Sequence, residues 1–285
     1  MYDVIVIGAG PAGISSAIYA KRGGLNVLVL YNGVSQVEKA DKIDNYYGFV
    51  DGITGEELYK NGIKQAQNLG IDVKNQEVLD IEMQEDFKYN VKTKEETYNT
   101  KSLIIATGNK RTRPNIKGIL EFEGKGISYC AICDGFFYRG KNVVVIGNGD
   151  FAVNEAKHLA NVVNSIKILT NGLEMPNNEF ETDTRIIKEI HGENKVQEIE
   201  FVDGSKIDVD GIFIAEGIAG GVNFAKKLGI AVDNENIIVN ESMETNIKGI
   251  YACGNLTGGL LQINKAAYEG AKAGLAAIKY VKSFN

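Results

Sequence analysis

The chain has 285 residues, of which 44% are hydrophobic, and a formal net charge of −6. This mildly acidic balance is not that of a general nucleic-acid binder, and no apolar run reaches the length that spans a bilayer. The first strand has no basic leader before it and the chain has only 3 cysteines, so we expect a cytoplasmic protein rather than a secreted disulfide framework. The length is sufficient for two domains with separate cores.

A dinucleotide-binding fingerprint opens the chain. An apolar run over residues 2–7 predicts a buried strand, residues 14–22 predict a helix and residues 26–31 predict the next strand. The glycine-rich turn between the first two elements is Gly8, Ala9, Gly10, Pro11, Ala12, Gly13. Its glycines permit a tight turn, close approach of a pyrophosphate and packing of the helix on the strand. The alternative is a plain strand–turn–helix without a ligand.

The ribose end of this site departs from the fingerprint. The second strand ends in the neutral residues Tyr31 and Asn32, where such folds carry an acidic residue that binds ribose hydroxyls. Pyrophosphate binding is therefore the firmer expectation. A strand-rich stretch then covers residues 77–105 and ends in Ala106, Thr107 and Gly108, which resembles a strand end common in flavoprotein reductases. Pro114 and the glycines after it predict a crossing between domains near 110–120.

The pair Cys130 and Cys133 carries the chemistry. Two cysteines separated by two residues form and break a disulfide in a two-electron exchange. A zinc site is disfavoured, because zinc needs four ligands and the chain has no second such pair and only 2 histidines. We expect no metal, although a purely structural bridge stays open. Asp134 is either a general acid/base or a helix cap, and Cys253 is expected in the core.

A second fingerprint follows the cysteine pair. Residues 141–146 predict a strand, Gly147, Gly149 and Ala152 keep the spacing, and a helix to about 160 and a strand over 165–169 complete the unit. A duplicated motif of this kind implies two Rossmann-like domains. Residues 248–253 then predict a strand that ends on Gly254 and Asn255. The last helix, over 264–282, carries small residues that indicate tight packing.

With these motifs located, the chain resembles the low-molecular-weight thioredoxin reductases over nearly its full length. The runs that carry the resemblance are Gly8–Gly13, Asp44-Asn45-Tyr46, Ala106-Thr107-Gly108, Cys130–Phe137 and Tyr251–Asn255. The resemblance implies an α/β fold with two Rossmann-like, three-layer ββα domains. An FAD-binding domain made of 1–114 and 244–285 would hold one FAD per subunit of a homodimer. The inserted domain, 115–243, would carry the cysteine pair and an NADPH-like fold.

The resemblance also implies roles for residues. Cys133 would face the flavin, Cys130 would attack the disulfide of thioredoxin, and Asp134 would shuttle protons. The positions that would bind the cofactor are Gly8, Ala9, Gly10, Pro11, Ala12, Gly13, Tyr31, Asn32, Gln36, Asn45, Ala106, Thr107, Gly108, Gly254, Asn255, Gln262 and Ile263.

The second fingerprint departs from the NADPH-dependent members of that family. They follow its second strand with a His-Arg-Arg cluster, whereas Leu169, Thr170 and Asn171 stand here and no Lys or Arg occurs between 168 and 183. A 2′-phosphate is normally held by Arg. Asn148 also replaces a glycine of the family. This pattern is similar to the ferredoxin-dependent flavin thioredoxin reductases, so we expect ferredoxin as the electron donor.

Two alternatives remain for the function: an ordinary NADPH-dependent thioredoxin reductase, and a flavin-binding regulatory protein without turnover. The intact cysteine pair argues against the second alternative. Ferredoxins are usually acidic, so a docking site would need a local basic patch. The candidates by clustering are Lys101, Lys110, Arg111 and Arg113.

Overall fold

The computed structural model describes residues 1–85, 88–108, 114–216, 220–233 and 236–284, with the side chains of all of them except Ile132 and Cys133. The elements up to residue 108 are β1 (Tyr2–Ile7), α1 (Pro11–Arg22), β2 (Val27–Tyr31), α2 (Gly55–Asn68), β3 (Asp72–Asn75), β4 (Val78–Met83), β5 (Tyr89–Thr93) and β6 (Thr97–Ile105).

The remaining elements complete the chain. Those between residues 114 and 216 are α3 (Ile119–Phe122), β7 (Ile127–Ser128), α4 (Ala131–Asp134), β8 (Asn142–Ile146), α5 (Asp150–Ala160), β9 (Ser165–Leu169), β10 (Glu181–Asp183), β11 (Ile187–Gly192), β12 (Val196–Phe201), β13 (Lys206–Asp208) and β14 (Gly211–Ile214). Those after residue 220 are α6 (Gly221–Lys227), β15 (Val232–Asp233), β16 (Asn236–Ile237), β17 (Ile250–Ala252) and α7 (Ile263–Lys282).

The first unit is built on a seven-stranded sheet with the order β3-β2-β1-β6-β5-β4, in which β17 also pairs with β6. The pairs β1–β2, β1–β6 and β6–β17 are parallel, so the carboxyl ends of these strands lie at one edge of the sheet. Towards this edge the strands consist of buried apolar residues, as expected of parallel strands covered on both faces: 4–7 in β1, 27–30 in β2, 103–105 in β6 and 250–252 in β17. This edge is where α/β folds bind their ligands.

Small residues let α7 pack closely on α1. A Cβ on Gly270 would lie 2.1 Å from the carbonyl oxygen of Ala12, and one on Gly274 would lie 2.5 Å from that of Ser16. Ala273 and Ala277 are fully buried in the same contact. The prediction that the small residues of the last helix serve tight packing is confirmed.

The second unit has a five-stranded parallel sheet, with the order β10-β9-β8-β14-β7, and a three-stranded antiparallel sheet, β11-β12-β13. The core between them combines Val144 and Ile212 of the parallel sheet with Ile190 and Ile199 of the antiparallel one. The helix α5 packs on β8 and β9. The unit therefore has the ββα layers that the sequence predicts, and the duplicated α/β fold is confirmed.

The boundary between the units differs from the prediction at one end. One unit comprises Met1–Lys110 and Gly220–Asn285, and the other comprises Arg111–Ala219. The sequence assigned residues up to 243 to the inserted domain, but 220–243 belong to the first unit. The physical reason is that α6 packs on β4, where Lys227 lies 3.6 Å from the Asp80 carboxylate and both side chains are nearly fully buried.

Candidate active site

The first glycine loop is shaped for a nucleotide. Gly8 has φ of 111°, and a Cβ there would lie 2.3 Å from the carbonyl oxygen of Ala106, so only glycine fits. A Cβ on Gly13 would lie 1.8 Å from the carbonyl oxygen of Gly8, which keeps α1 close to β1. Gly10 is different, because within the described part of the chain the hydroxyl of Ser35, at 3.6 Å, is its Cβ's closest neighbour. The loop is therefore packed beneath and open above.

The open side of this loop fits a pyrophosphate. The helix α1 begins at Pro11, and no side chain among the described residues caps it at Gly10. The first N–H groups of a helix lack intrahelical partners and attract anions. The hydroxyl of Ser35 lies beside the same loop, a contact that could not be predicted because Ser35 is outside the fingerprint. These groups suit the phosphates of a dinucleotide.

Other predicted cofactor residues converge on the same edge of the sheet. The N–H of Ala106 donates to the carbonyl of Ile7 at 2.8 Å, and a Cβ on Gly254 would lie 2.9 Å from the Cβ of Ala12. The hydroxyl of Thr107 accepts the N–H of Gly221 at 2.9 Å. The structure therefore brings together three sequence runs that lie far apart in the chain: the Gly8–Gly13 loop, Ala106–Thr107 and Gly254.

Further predicted cofactor positions lie in loops or at the ends of secondary-structure elements. Asn45 donates to the side-chain carbonyl of Gln262 at 3.1 Å, which joins two runs separated by 217 residues. Tyr31 contacts the ring of Tyr59 edge to face. Gln36 is exposed in a short 3₁₀ turn, Asn255 begins another beside Gly254, and Ile263 is the first residue of α7.

A charged network that the sequence analysis missed holds the Gly254 loop. The ammonium of Lys265 donates to the carbonyl of Gly254 at 2.8 Å and lies 3.0 Å from the carboxylate of Glu269. Glu269 is itself 9% exposed and accepts the N–H of Gly254 at 2.9 Å and the hydroxyl of Thr257 at 2.8 Å. A buried charge pair of this kind is tolerated because each partner is hydrogen-bonded. The signal available in sequence is the i,i+4 spacing of Lys265 and Glu269.

The cysteine pair lies in the second unit. Cys130 is disulfide-bonded and 2% exposed, and the side chain of Cys133 lies outside the described residues, so the Cys130–Cys133 bridge stays a prediction. Ser128 donates to Asp134 Oδ2 at 2.6 Å and accepts the N–H of Cys130 at 3.1 Å. Asp134 stands at the N-cap position of the 3₁₀ turn Gly135–Tyr138, but its side chain makes no cap hydrogen bond to the described residues of that turn. It is instead connected to Cys130 through the Ser128 hydroxyl.

A buried carboxylate supports the cysteine loop from α5. Glu155 is 1% exposed, and its Oε2 accepts the N–H of Ala131 at 2.7 Å. Ala131 directly follows Cys130, so this bond fixes the backbone between the two cysteines. Glu155 could not be predicted as part of the site, because nothing in the sequence of an amphipathic helix indicates that a glutamate points inward.

The second glycine loop keeps its close packing, and its middle residue contacts another part of the chain. A Cβ on Gly147 would lie 2.2 Å from the carbonyl oxygen of Ala215, so close packing is retained. The side-chain amide of Asn148 donates to the backbone carbonyl of Glu174 at 3.3 Å. The segment after β9 thus folds back to this loop.

The structure places a cation, Arg185, near the end of β9, although the stretch 168–183 contains no Lys or Arg. Asp183 pairs with Leu169 in the sheet, and Arg185 follows two residues later. The Arg185 guanidinium binds Asp183 at 2.5 Å and Ser205 at 2.6 Å, and lies 3.9 Å from the centre of the Phe201 ring. Its hydrogen bonds hold the pKa of the Asp183 carboxyl below the usual value. The Asp183 carboxylate and the Arg185 guanidinium at this strand end are therefore paired with each other.

Comparisons with known proteins agree with these sites. Residues 2–180 and 168–270 match the family described as pyridine nucleotide-disulphide oxidoreductase. A thioredoxin reductase of Listeria innocua is 33% identical over 99% of this chain and 94% of its own length. The chain belongs to the thioredoxin reductase family of these flavoprotein disulfide reductases. Among the described residues, no helix is both long and apolar enough to cross a membrane.

Solved structures of the family resemble this chain to different degrees. The atypical thioredoxin reductase TRi of Desulfovibrio vulgaris Hildenborough has a TM-score of 0.94 at 37% identity, over 99% of each chain. A ferredoxin-flavin thioredoxin reductase of Clostridium acetobutylicum has a TM-score of 0.71 at 32% identity, over 99% of this chain and 98% of that one. These comparisons confirm the recognised family but give no specific support to ferredoxin over NADPH as the donor.

Proposed function

We propose that the protein binds FAD and reduces the disulfide of a thioredoxin through Cys130 and Cys133. The observation that carries this proposal is the disulfide-bonded Cys130 tied through Ser128 to Asp134, within a chain of the thioredoxin reductase family. The Gly8–Gly13 loop and α1 would hold the pyrophosphate, and the Gly254 loop would line the same edge. When bound, FAD supplies a carrier that accepts electrons from a donor and passes a pair to a disulfide.

The chain's own residues then complete the exchange. Two electrons and two protons convert the Cys130–Cys133 disulfide to two thiols. The Cys130 thiolate attacks the disulfide of the substrate and forms a mixed disulfide, and the first substrate thiol leaves. Cys133 attacks Cys130, so the protein disulfide re-forms and the second substrate thiol leaves. Asp134 exchanges the protons, through Ser128 or directly, which its hydrogen bond of 2.6 Å supports.

Two exposed aromatic residues beside the cysteine pair support a protein substrate. Phe136 and Phe137 are 66% and 70% exposed, and Arg139 stacks on Phe136 at 4.9 Å. Neighbouring exposed aromatic and arginine side chains are typical of protein-binding surfaces. Changing both phenylalanines to alanine should raise KM for thioredoxin about tenfold or more and leave flavin reduction unchanged. Leu173→Ala, at a residue that is 46% exposed in the same unit, is the control and should leave KM unchanged.

For the electron donor we propose reduced ferredoxin. The support is the state of the second glycine loop: Asn148 is bonded to the chain's own backbone, and Arg185 is committed to Asp183 and Ser205. A 2′-phosphate would have to compete with that carboxylate for the guanidinium. Among the basic residues suggested for ferredoxin docking, Lys101 is a weaker candidate, because its ammonium lies 2.9 Å from the carboxylate of Asp3 and is paired with it. Lys110, Arg111 and Arg113 lie outside the described residues.

NADPH is the second candidate donor, and the comparisons favour it. The family description names a pyridine nucleotide, and the relative from Listeria innocua is a plain thioredoxin reductase. Anaerobic mixing with NADPH, NADH and reduced ferredoxin separates the candidates, with flavin bleaching as the readout. We expect reduced ferredoxin to bleach the flavin, and we expect neither NADPH nor NADH to do so. Rapid bleaching by micromolar NADPH would replace ferredoxin with NADPH and leave the reductase function intact.

We also propose that the protein acts as a cytoplasmic homodimer. The hydrogen bond between Asn45 and Gln262 joins two runs that carry exposed apolar residues, namely Tyr47, Val50, Leu260 and Leu261. These side chains are 94%, 100%, 67% and 57% exposed. Exposed apolar clusters of this kind mark association surfaces. Sedimentation of the purified protein as a monomer at micromolar concentration would contradict the dimer.

A further inference from the structure

The ammonium of Lys265, in the first turn of α7, is surrounded by oxygen atoms. It donates to the backbone carbonyl of Gly254 at 2.8 Å, to that of Gly258 and to the hydroxyl of Thr257 at 2.9 Å. Oε2 of Glu269 lies 3.0 Å away and supplies the negative charge. We call these four oxygens the oxygen cage. Carbonyl oxygens grouped in this way can replace the hydration shell of a monovalent cation.

The oxygen cage requires a positive charge, because its carboxylate is shielded from water. The side chains of Lys265 and Glu269 are only 16% and 11% exposed. The same Oε2 of Glu269 also accepts the N–H of Gly254 and the hydroxyl of Thr257. A buried carboxylate that loses its cation is strongly disfavoured. Without the ammonium, the loop 254–258 would therefore have to move so that water could reach Glu269.

The loop that closes this cage also contacts the first glycine loop. Gly254 has φ of 80°, and a Cβ there would lie 2.9 Å from the Cβ of Ala12. Gly270, which directly follows Glu269, is equally close, since its Cβ would lie 2.1 Å from the carbonyl oxygen of Ala12. Gly254 is thus held between the ammonium and the loop predicted to bind the pyrophosphate. A shift of Gly254 would change the cofactor site.

We propose that Lys265 is a positioning residue for FAD, whose ammonium takes the place of a bound monovalent cation and holds the Gly254 loop against the cofactor site. This proposal rests on the proposed FAD function and adds a residue that acts on the cofactor through the loop. What the oxygen cage needs is a compact positive charge rather than a particular side chain. A variant with an empty cage should therefore accept K⁺ or NH₄⁺ in place of the ammonium.

The test measures FAD affinity by flavin fluorescence in tetramethylammonium chloride, a cation too large for the cage, and in KCl of equal ionic strength. Lys265→Ala empties the cage and should weaken FAD binding about 10- to 100-fold in the first salt, through loss of charge-assisted hydrogen bonds. KCl should restore most of the affinity. Lys265→Met fills the same space without the charge and should lose affinity in both salts. Lys272→Ala is the control on α7, because its ammonium lies over the Tyr268 ring, and should bind FAD like the wild type.

Melting temperatures of the same variants without FAD test the oxygen cage independently of the cofactor. KCl should stabilise Lys265→Ala relative to tetramethylammonium chloride, and should give no such difference for Lys265→Met or the wild type. Equal effects of the two salts on Lys265→Ala, or wild-type FAD affinity of that variant in tetramethylammonium chloride, would overturn the role of Lys265. A wild-type protein that binds no FAD in either salt would instead overturn the proposed function.

Discussion

The two βαβ units of this chain share a fingerprint but differ in what surrounds it. In the first, Gly10 has open space above it apart from Ser35, and in the second, Asn148 is bonded to the backbone that follows β9. Beside its second strand, the first unit pairs the amide of Asn32 with the carboxylate of Glu77, whereas the second unit pairs Arg185 with Asp183. The glycines therefore specify the turn and the packing in both units. Whether a nucleotide binds depends on residues outside the fingerprint.

The largest effect should come from the cysteine pair, which is the chemical contribution of the second unit. Cys130→Ser should abolish thioredoxin reduction, because the attacking thiolate is lost. It should leave FAD bound and its reduction by the donor unchanged, since the variant retains the Gly8–Gly13 loop and Cys133, the cysteine expected to face the flavin. Stopped-flow absorbance and a thioredoxin assay measure the two halves separately. Turnover of Cys130→Ser at the wild-type rate would show that the roles of the cysteines are assigned incorrectly.

A matched pair of aspartates tests the two glycine loops directly. Gly10 and Gly149 both precede a helix with extended backbone, at φ of −70° and −132°, so the backbone of either position allows aspartate, a common helix-capping residue. Gly10→Asp should weaken FAD binding more than about 100-fold, because it places a negative charge beside a pyrophosphate. Gly149→Asp should leave FAD binding and ferredoxin-driven turnover unchanged.

The outcome at the second loop also bears on the donor. If the wild-type protein turns over with NADPH and Gly149→Asp stops that reaction, the second loop is a working nucleotide site and the contrast between the units fails. Equal FAD losses in both variants would instead indicate a general effect on the fold. Titration of the apoproteins, with melting temperatures as the folding control, separates these cases.

Much of this contrast could be predicted from the sequence. The strands β1 and β9 and the helix α5 follow from short apolar runs and glycine punctuation, and β9 begins and ends at the predicted residues 165 and 169. The absence of a basic cluster after β9 was also visible. These features are local, so the pattern of neighbouring residues is enough to predict them.

The parts that could not be predicted are contacts between distant residues. Glu77 reaches Asn32 across 45 residues, and Asp183 comes to lie beside Leu169 only through the pairing of β10 with β9. Arg185 lies 16 residues after Leu169 in the sequence but close to it in the fold, so the residues directly after β9 do not reveal it. Glu155 turns inward on a helix whose sequence gives no reason for it. Sheet register and burial decide these positions, and neither is written in a local motif.

A smaller effect should follow from loss of the contact between Glu155 and the cysteine loop of the second unit. Glu155→Leu leaves the buried N–H of Ala131 without its acceptor, which should cost about 1–3 kcal/mol of unfolding free energy. Glu155→Gln retains an acceptor oxygen and should cost clearly less. Thermal unfolding measures the difference, and FAD affinity should stay at the wild-type value in both. Equal losses in the two variants would contradict the hydrogen-bond explanation.

The smallest effect should come from Cys253. This cysteine belongs to the first unit and can be compared with the redox-active pair proposed for the second. Cys253 is a free thiol, fully buried, and burial raises its pKa well above the ordinary value. The folded state therefore keeps this thiol protonated, and the stability that this provides is lost only as the pH rises through and above the ordinary thiol range. At pH 8 the thiolate is the reactive form and is almost absent. Cys253→Ala should change turnover less than about twofold, because the residue only fills core space.

Counting thiols tests this assignment together with the predicted disulfide. The oxidised protein should show no thiol that reacts at pH 8 while it is folded, and one after unfolding without reductant, since Cys253 is then exposed. Reduction before unfolding should raise the count to three, in agreement with the 3 cysteines of the chain. A fast-reacting thiol in the folded, oxidised protein would mean that Cys253 is accessible. Three thiols without reductant would mean that Cys130 and Cys133 are not bridged, and the chemical difference between the two units would then have to lie elsewhere.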